Sequence, residues 1–184
     1  MRRWLWIGIA LALAAPPLGW VVTDELESHD SFCVACHLDA ETPLHQSKLR
    51  DFRAESAVNL ASYHARHVEG GMRCITCHGG ASFWNKLRVK TIAGRDAVSW
   101  LIGAFDEPNA MTHPLWDEDC TQCHDRYEAE RDDDFHAIAD HNVAAFEVRC
   151  VSCHTSHPTD GAPELSFLQR DRVAETCKLC HEEL

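Results

Sequence analysis

Five times along the chain, two cysteines stand three positions apart with a histidine directly after the second. The segments are Cys33-Val-Ala-Cys36-His37, Cys74-Ile-Thr-Cys77-His78, Cys120-Thr-Gln-Cys123-His124, Cys150-Val-Ser-Cys153-His154 and Cys177-Lys-Leu-Cys180-His181. The chain has ten cysteines, and these segments use all of them. A Cys-x-x-Cys pair alone is commonly half a zinc site or a redox dithiol, and an even cysteine count in an exported chain also suits a disulfide framework. Neither reading asks for a histidine after the second cysteine every time. Covalent haem c does: the thiols form thioethers to the vinyl groups of one porphyrin, and the adjacent imidazole turns under the iron. The motifs predict five covalently bound haems c, with His37, His78, His124, His154 and His181 each giving one axial ligand.

Five haems between residues 33 and 181 leave roughly 30 residues for each, too little chain for five separate hydrophobic cores. The porphyrins must then form much of the core, close enough for electrons to pass between neighbouring irons. Between the motifs lie three stretches of helical character. Residues 44–68 bring Phe52, Leu60, Tyr63, His64 and His67 near one face. Residues 82–105 open with Ser82 as an N-cap and carry Val98, Leu101, Ile102 and Phe105 at helical spacing, a stripe expected to be core. Residues 125–147 begin with a charged run, Asp125 to Asp134, expected as a solvated face, and residues 155–165 form a loop around Pro158, Gly161 and Pro163. No strand pattern of useful length appears. The expected fold is mainly α, a loop-rich multihaem cytochrome c module with one N-terminal transmembrane helix.

Eight of the 13 histidines lie outside the motifs. Bis-histidine ligation of five irons needs five of them, because each haem leaves one axial position open. His64 and His67 precede Cys74 by ten and seven residues, His113 precedes Cys120 by seven, and His141 precedes Cys150 by nine. This recurrence suggests a repeated unit in which a helix delivers a ligand ahead of each haem loop. His157 is too near His154 to reach the opposite face of the same haem and is expected to serve a neighbouring one. The distal candidates are His64, His67, His113, His141 and His157, with His45 evenly balanced. His29 and His136 are left outside the set.

The N-terminus runs Met1-Arg2-Arg3 and is then apolar from Trp4 to Val22. A cleaved signal would use Ala12-Leu13-Ala14, but the apolar run continues past it and reaches nearly the 20 or so residues that span about 30 Å of hydrocarbon. Trp4 and Trp20 stand at its ends, as interfacial indoles do, and Arg2 and Arg3 before it place the N-terminus in the cytoplasm. Residues 1–22 are therefore expected as a single-pass anchor in the inner (cytoplasmic) membrane, and residues 23–184 as a periplasmic pentahaem domain. The net charge of −12 excludes nucleic acid as a partner and favours a redox protein with a basic docking face.

The connecting segments add a resemblance. The anchor and acidic linker lead to Phe32-Cys33, and His64 precedes Met72-Arg73-Cys74. Then come Phe83-Trp84-Asn85-Lys86-Leu87-Arg88-Val89-Lys90, the turn Gly103-Ala104-Phe105-Asp106-Glu107-Pro108, and Leu115-Trp116-Asp117-Glu118-Asp119-Cys120. His141 and Arg149-Cys150 through His157-Pro158 complete the order. Over about residues 1–160 this resembles the NapC/NirT (and NrfH) family of membrane-anchored periplasmic quinol dehydrogenases. The resemblance implies quinol oxidation near the first haem, with Lys and Asp side chains on the helix after the second; Lys86, Lys90 and Asp96 match here. Three features depart from the family pattern. Leu38-Asp39 stands where a ligating Met commonly follows the first motif, which leaves His37 as the natural first-haem ligand. The interval between the second and third motifs is shorter, and a fifth haem motif is added at the C-terminus.

Three functions compete. The first is electron transfer from membrane quinol to a periplasmic acceptor or reductase. The second is a protein-to-protein wire, or a subunit of a larger respiratory complex, without its own quinol site. The third, reduction of a nitrogen or sulfur oxyanion, needs an open distal position, and the supply of histidines argues against it.

Overall fold

The computed structural model describes residues 2–35, 44–105, 115–125, 134–138, 141 and 149–181. Among them the chain is helical and loop-rich, with no strand beyond one isolated bridge, Ala162 to Leu168. The first helix, α1 (Arg2–Glu27), has 26 residues and so runs about 39 Å at 1.5 Å per residue, enough to cross a bilayer. None of its side chains is buried against the rest of the protein. Length, composition and exposure make it a candidate membrane span.

Among the described residues nine shorter α-helices follow: α2 (Asp30–Cys33), α3 (Leu44–Phe52), α4 (Leu60–His67), α5 (Cys74–His78), α6 (Phe83–Leu101), α7 (Glu118–Thr121), α8 (Asp134–Ala137), α9 (Cys150–Cys153) and α10 (Arg170–Cys177). The continuous helical stretch expected over 44–68 is two helices. Asn59 breaks it: its extended backbone and side-chain oxygen cap α4 by accepting from Ser62 N at 2.9 Å, and Ser62 Oγ accepts in return from Asn59 N at 3.0 Å. α6 starts where expected, with Ser82 Oγ accepting from Asn85 N at 3.1 Å. Of the stretch expected over 125–147, the described part holds Asp125, α8, Ile138 and His141.

One expectation is overturned. The stripe read as core is solvent-facing, with Val98, Leu101 and Ile102 all exposed. Spacing alone shows that a helix has one apolar face, not what covers it.

The described residues have almost no apolar core of their own. Among the described residues, Phe52 and Phe167 are the buried hydrophobic side chains, beside buried Asn59, Ser62, Asp119 and Thr155. A domain of this length ordinarily buries far more. The haem loops are organised instead by polar links between short helices, each holding one loop against the next.

Candidate haem centres

Helices α2, α5, α7, α9 and the end of α10 each carry one or both cysteines of a motif. A helix of one or two turns leaves its first N–H groups without internal partners, so each needs an acceptor from outside. For the second and fourth motifs, the acceptor is an aspartate three residues before the preceding motif. Cys74 N donates to Asp30 Oδ1 at 2.9 Å, and Cys150 N donates to Asp117 Oδ1 at 2.8 Å. In both pairs the leading thiols lie within hydrogen-bond reach, Cys33 to Cys74 and Cys120 to Cys150. Motifs one and two thus form a unit that motifs three and four repeat. The sequence carried this signal as Asp30 and Asp117 at matching positions and as Arg73 and Arg149 directly before the second cysteine pair of each unit.

The units join in chain order. Ala81 N donates to Asp119 Oδ1 at 2.7 Å, and Gln122 Nε2 to Thr76 O at 3.2 Å, tying the second loop to the third. Burial raises the Asp119 carboxyl, while the amides of Ala81 and Trp116 hold it down. Thr176 Oγ1 donates to Ser152 O at 3.4 Å and ties the fourth loop to the fifth.

Histidine–metal bonds of about 2.0–2.1 Å, with each ring centre roughly 1.1 Å behind its bonding nitrogen, set two trans imidazoles roughly 6.3 Å apart between centroids. Four motif histidines face another histidine close to that spacing. His78 and His157 stand 6.0 Å apart, His124 and His64 5.9 Å, His154 and His136 6.0 Å, and His181 and His141 6.2 Å. The residues fit an iron between each pair.

The ring chemistry agrees. Burial, with His45 adding to it, pushes the His78 imidazole below its ordinary range. Burial and the neighbouring His78 push His157 down to about 4. Both rings are therefore neutral, the form that binds metal. His64 holds Leu60 O with Nδ1 at 2.8 Å, which fixes its tautomer and leaves Nε2 to reach His124's side. His157 Nδ1 is buried without a hydrogen-bond partner among the described residues.

Placement departs from the sequence reading in two ways. His64 and His141 lie upstream of the second and fourth motifs but face the histidines of the third and fifth. His136, left out of the ligand set, faces His154; its distance of 14 residues before Cys150 carried no signal. His67 stacks on Tyr63 at 4.0 Å, bonds Tyr63 O through Nδ1, and faces no motif histidine among the described residues. His45 lies near His78 and His157. Cys36, His37 and His113 lie outside the described residues.

The zinc and disulfide readings find no matching geometry. Among the described residues, no three His, Cys, Asp or Glu side chains converge as a metal cluster, and the nine described cysteines are unbonded to one another. Cys-x-x-Cys-His loops linked in a row, with imidazoles opposed across haem-sized gaps, define a multihaem c-type cytochrome, an electron-transfer protein with covalently bound haem c. Residues 141–184 match the family model of the doubled CXXCH motif, which takes in the fourth and fifth loops. Over 188 aligned residues the chain is 22% identical to cytochrome c-type protein NrfB of Haemophilus influenzae, covering 87% of this chain and 68% of that protein. No solved structure matches it.

Proposed function

We propose that the protein is a membrane-anchored pentahaem cytochrome that takes electrons from membrane quinol and delivers them to a periplasmic acceptor beyond its C-terminal haem. The observation that carries this reading is the order of the haem loops, linked one to the next from the end of α1 to α10. Bound haem supplies a one-electron iron couple at each position. The chain supplies order and ligation. We assign His157, His64, His136 and His141 as distal ligands of the second to fifth haems, opposite His78, His124, His154 and His181. His157 comes from the second unit to the second haem, and His64 from the first unit to the third, so the two units complete each other's inner sites. His67, His45 and His113 remain the candidates for the first haem, opposite His37.

The quinol part of the reading is supported by the junction between α1 and α6. Lys90 Nζ, largely buried, donates to Glu27 Oε2 at 2.6 Å, approaches Asp24 Oδ1 at 3.0 Å, and lies 5.5 Å from the Trp20 ring centre. Lys86 pairs with the same Asp24 at 3.3 Å. These are the lysines singled out by the NapC/NirT resemblance, and they stand beside the end of the candidate span. Asp96 makes no such link among the contacts seen at this junction.

The deciding experiment is stopped-flow mixing of the purified full-length holoprotein, in detergent or vesicles, with a reduced quinol. Haem reduction at a rate that saturates with quinol supports the proposal. Prompt reduction by a protein donor, with every quinol inert, replaces it with the protein-to-protein wire.

A further inference from the structure

α6 carries an apolar stripe that stays exposed among the described residues. Phe83, Trp84, Leu87, Val98, Leu101 and Ile102 follow the helical repeat, with Thr91 and Gly94 between them. Their exposures are 63, 73, 37, 58, 72 and 73%. An apolar helix face of five turns that the polypeptide leaves uncovered marks an interaction surface.

Three observations say what covers it. The stripe is continuous with the candidate membrane span, because Phe83 at its start stacks on Trp20 with ring centroids 6.2 Å apart. Phe83 meets α1 at Trp20, one helical turn deeper than Asp24, and Lys90 both pairs with Asp24 and lies 5.5 Å from the Trp20 ring, so the start of α6 sits against the outer end of the candidate span. The helix is also locally basic in a chain of net charge −12: Lys86, Arg88, Lys90 and Arg95 against Asp96 alone. An apolar face with Trp, Phe and Leu, bordered by Lys and Arg, is the composition of a helix that lies in a membrane surface and meets anionic headgroups.

We infer that α6 lies in the outer interface of the membrane, its stripe among the acyl chains, and so fixes the first two haem loops at the bilayer surface. Through Gly79 to Ser82, α6 follows directly on α5 and its haem cysteines. α1 alone would leave the haem domain free to tilt about one helix; α6 adds a second attachment. This rests on the reading of α1 as an anchor.

The holoprotein offers a direct test, since thioethers consume all ten native thiols and an introduced cysteine is the one free sulfhydryl. Full-length holoprotein bearing Trp84→Cys, Val98→Cys, Leu101→Cys, Ala93→Cys or Leu11→Cys is placed in phosphatidylcholine–phosphatidylglycerol vesicles and reacted with a charged, water-soluble maleimide. Ala93 is exposed on the opposite face of α6. The inference expects labelling at 84, 98 and 101 to be slower than at 93 by about ten-fold or more, the scale of burying an apolar side chain, at every protein-to-lipid ratio. Equal rates along α6 with position 11 protected overturn it while leaving the anchor in place. Labelling at position 11 as fast as at 93 removes the anchor itself. Protection at 84, 98 and 101 that disappears on dilution, with disulfide-linked dimers at those positions, overturns it in favour of a second copy on the stripe.

Discussion

Replacing Asn59 by alanine removes one side chain that links the segments carrying two of the proposed haem ligands, His64 and His157. Asn59 is fully buried, caps α4 through Ser62 N, and donates from Nδ2 to His157 O at 3.0 Å across 98 residues of chain. α4 carries His64, so the amide ties a ligand from the first unit to one from the second. Loss of the cap costs about 1 kcal/mol, and leaving the buried His157 carbonyl without its donor costs about 1–3 kcal/mol. The expected destabilisation of Asn59→Ala is therefore about 2–4 kcal/mol, or a fall in melting temperature of roughly 5–15 °C for a domain of this size. Thermal unfolding of the oxidised holoprotein, followed by circular dichroism and by the low-spin Soret band, measures both losses together. Asn59→Asp separates them: it keeps the cap acceptor but has no donor for His157 O, so it should retain about 1 kcal/mol of the lost stability. A midpoint for Asn59→Ala within 1–2 °C of the parent, a shift smaller than 1 kcal/mol produces, would show that the link bears no load and refute the reasoning.

Four further outcomes are expected. His136→Ala should convert one haem of the five from low-spin to high-spin or exchangeable ligation, read by near-infrared magnetic circular dichroism; an unchanged low-spin count would put His136 back outside the ligand set. The rings of His78 and His157 are nearly parallel, at 19°, while those of His64 and His124, His136 and His154, and His141 and His181 cross at 87, 87 and 70°. Parallel planes split the iron d orbitals that crossed planes leave nearly degenerate. Frozen-solution EPR should therefore show one rhombic low-spin signal among these four and three of large maximal g, and His157→Ala should remove the rhombic one. Gly80→Ala places a Cβ 2.6 Å from Asn85 C on a backbone at φ +80°; that conformation alone costs about 1–2 kcal/mol for a non-glycine residue, and the yield of fully haem-loaded protein should fall. Lys90→Met leaves Glu27 without its cation, and the quinol-driven reduction rate should drop while reduction by dithionite stays unchanged; equal rates with quinol would remove Lys90 from the quinol site.

The sequence by itself determined the chemistry, because the thioether pattern is local: two thiols and an imidazole within five residues suffice to name the cofactor class. It also determined the apolar N-terminal helix and the start of α6 at Ser82, which depend on composition and on a cap three residues away. Only the tertiary structure decided which imidazoles oppose one another. His64 and His124 are 60 residues apart and His78 and His157 are 79 apart, and no periodicity encodes a meeting at that range. The same reason explains His136 against His154, which spacing gave no ground to choose, and the outward stripe of α6, whose repeat reads alike whether protein, lipid or water lies against it. The aspartates show the boundary between the two. Asp30 and Asp117 were visible as residues, but their work lies in amides 44 and 33 positions away, where folding brings the next haem loop under each carboxylate.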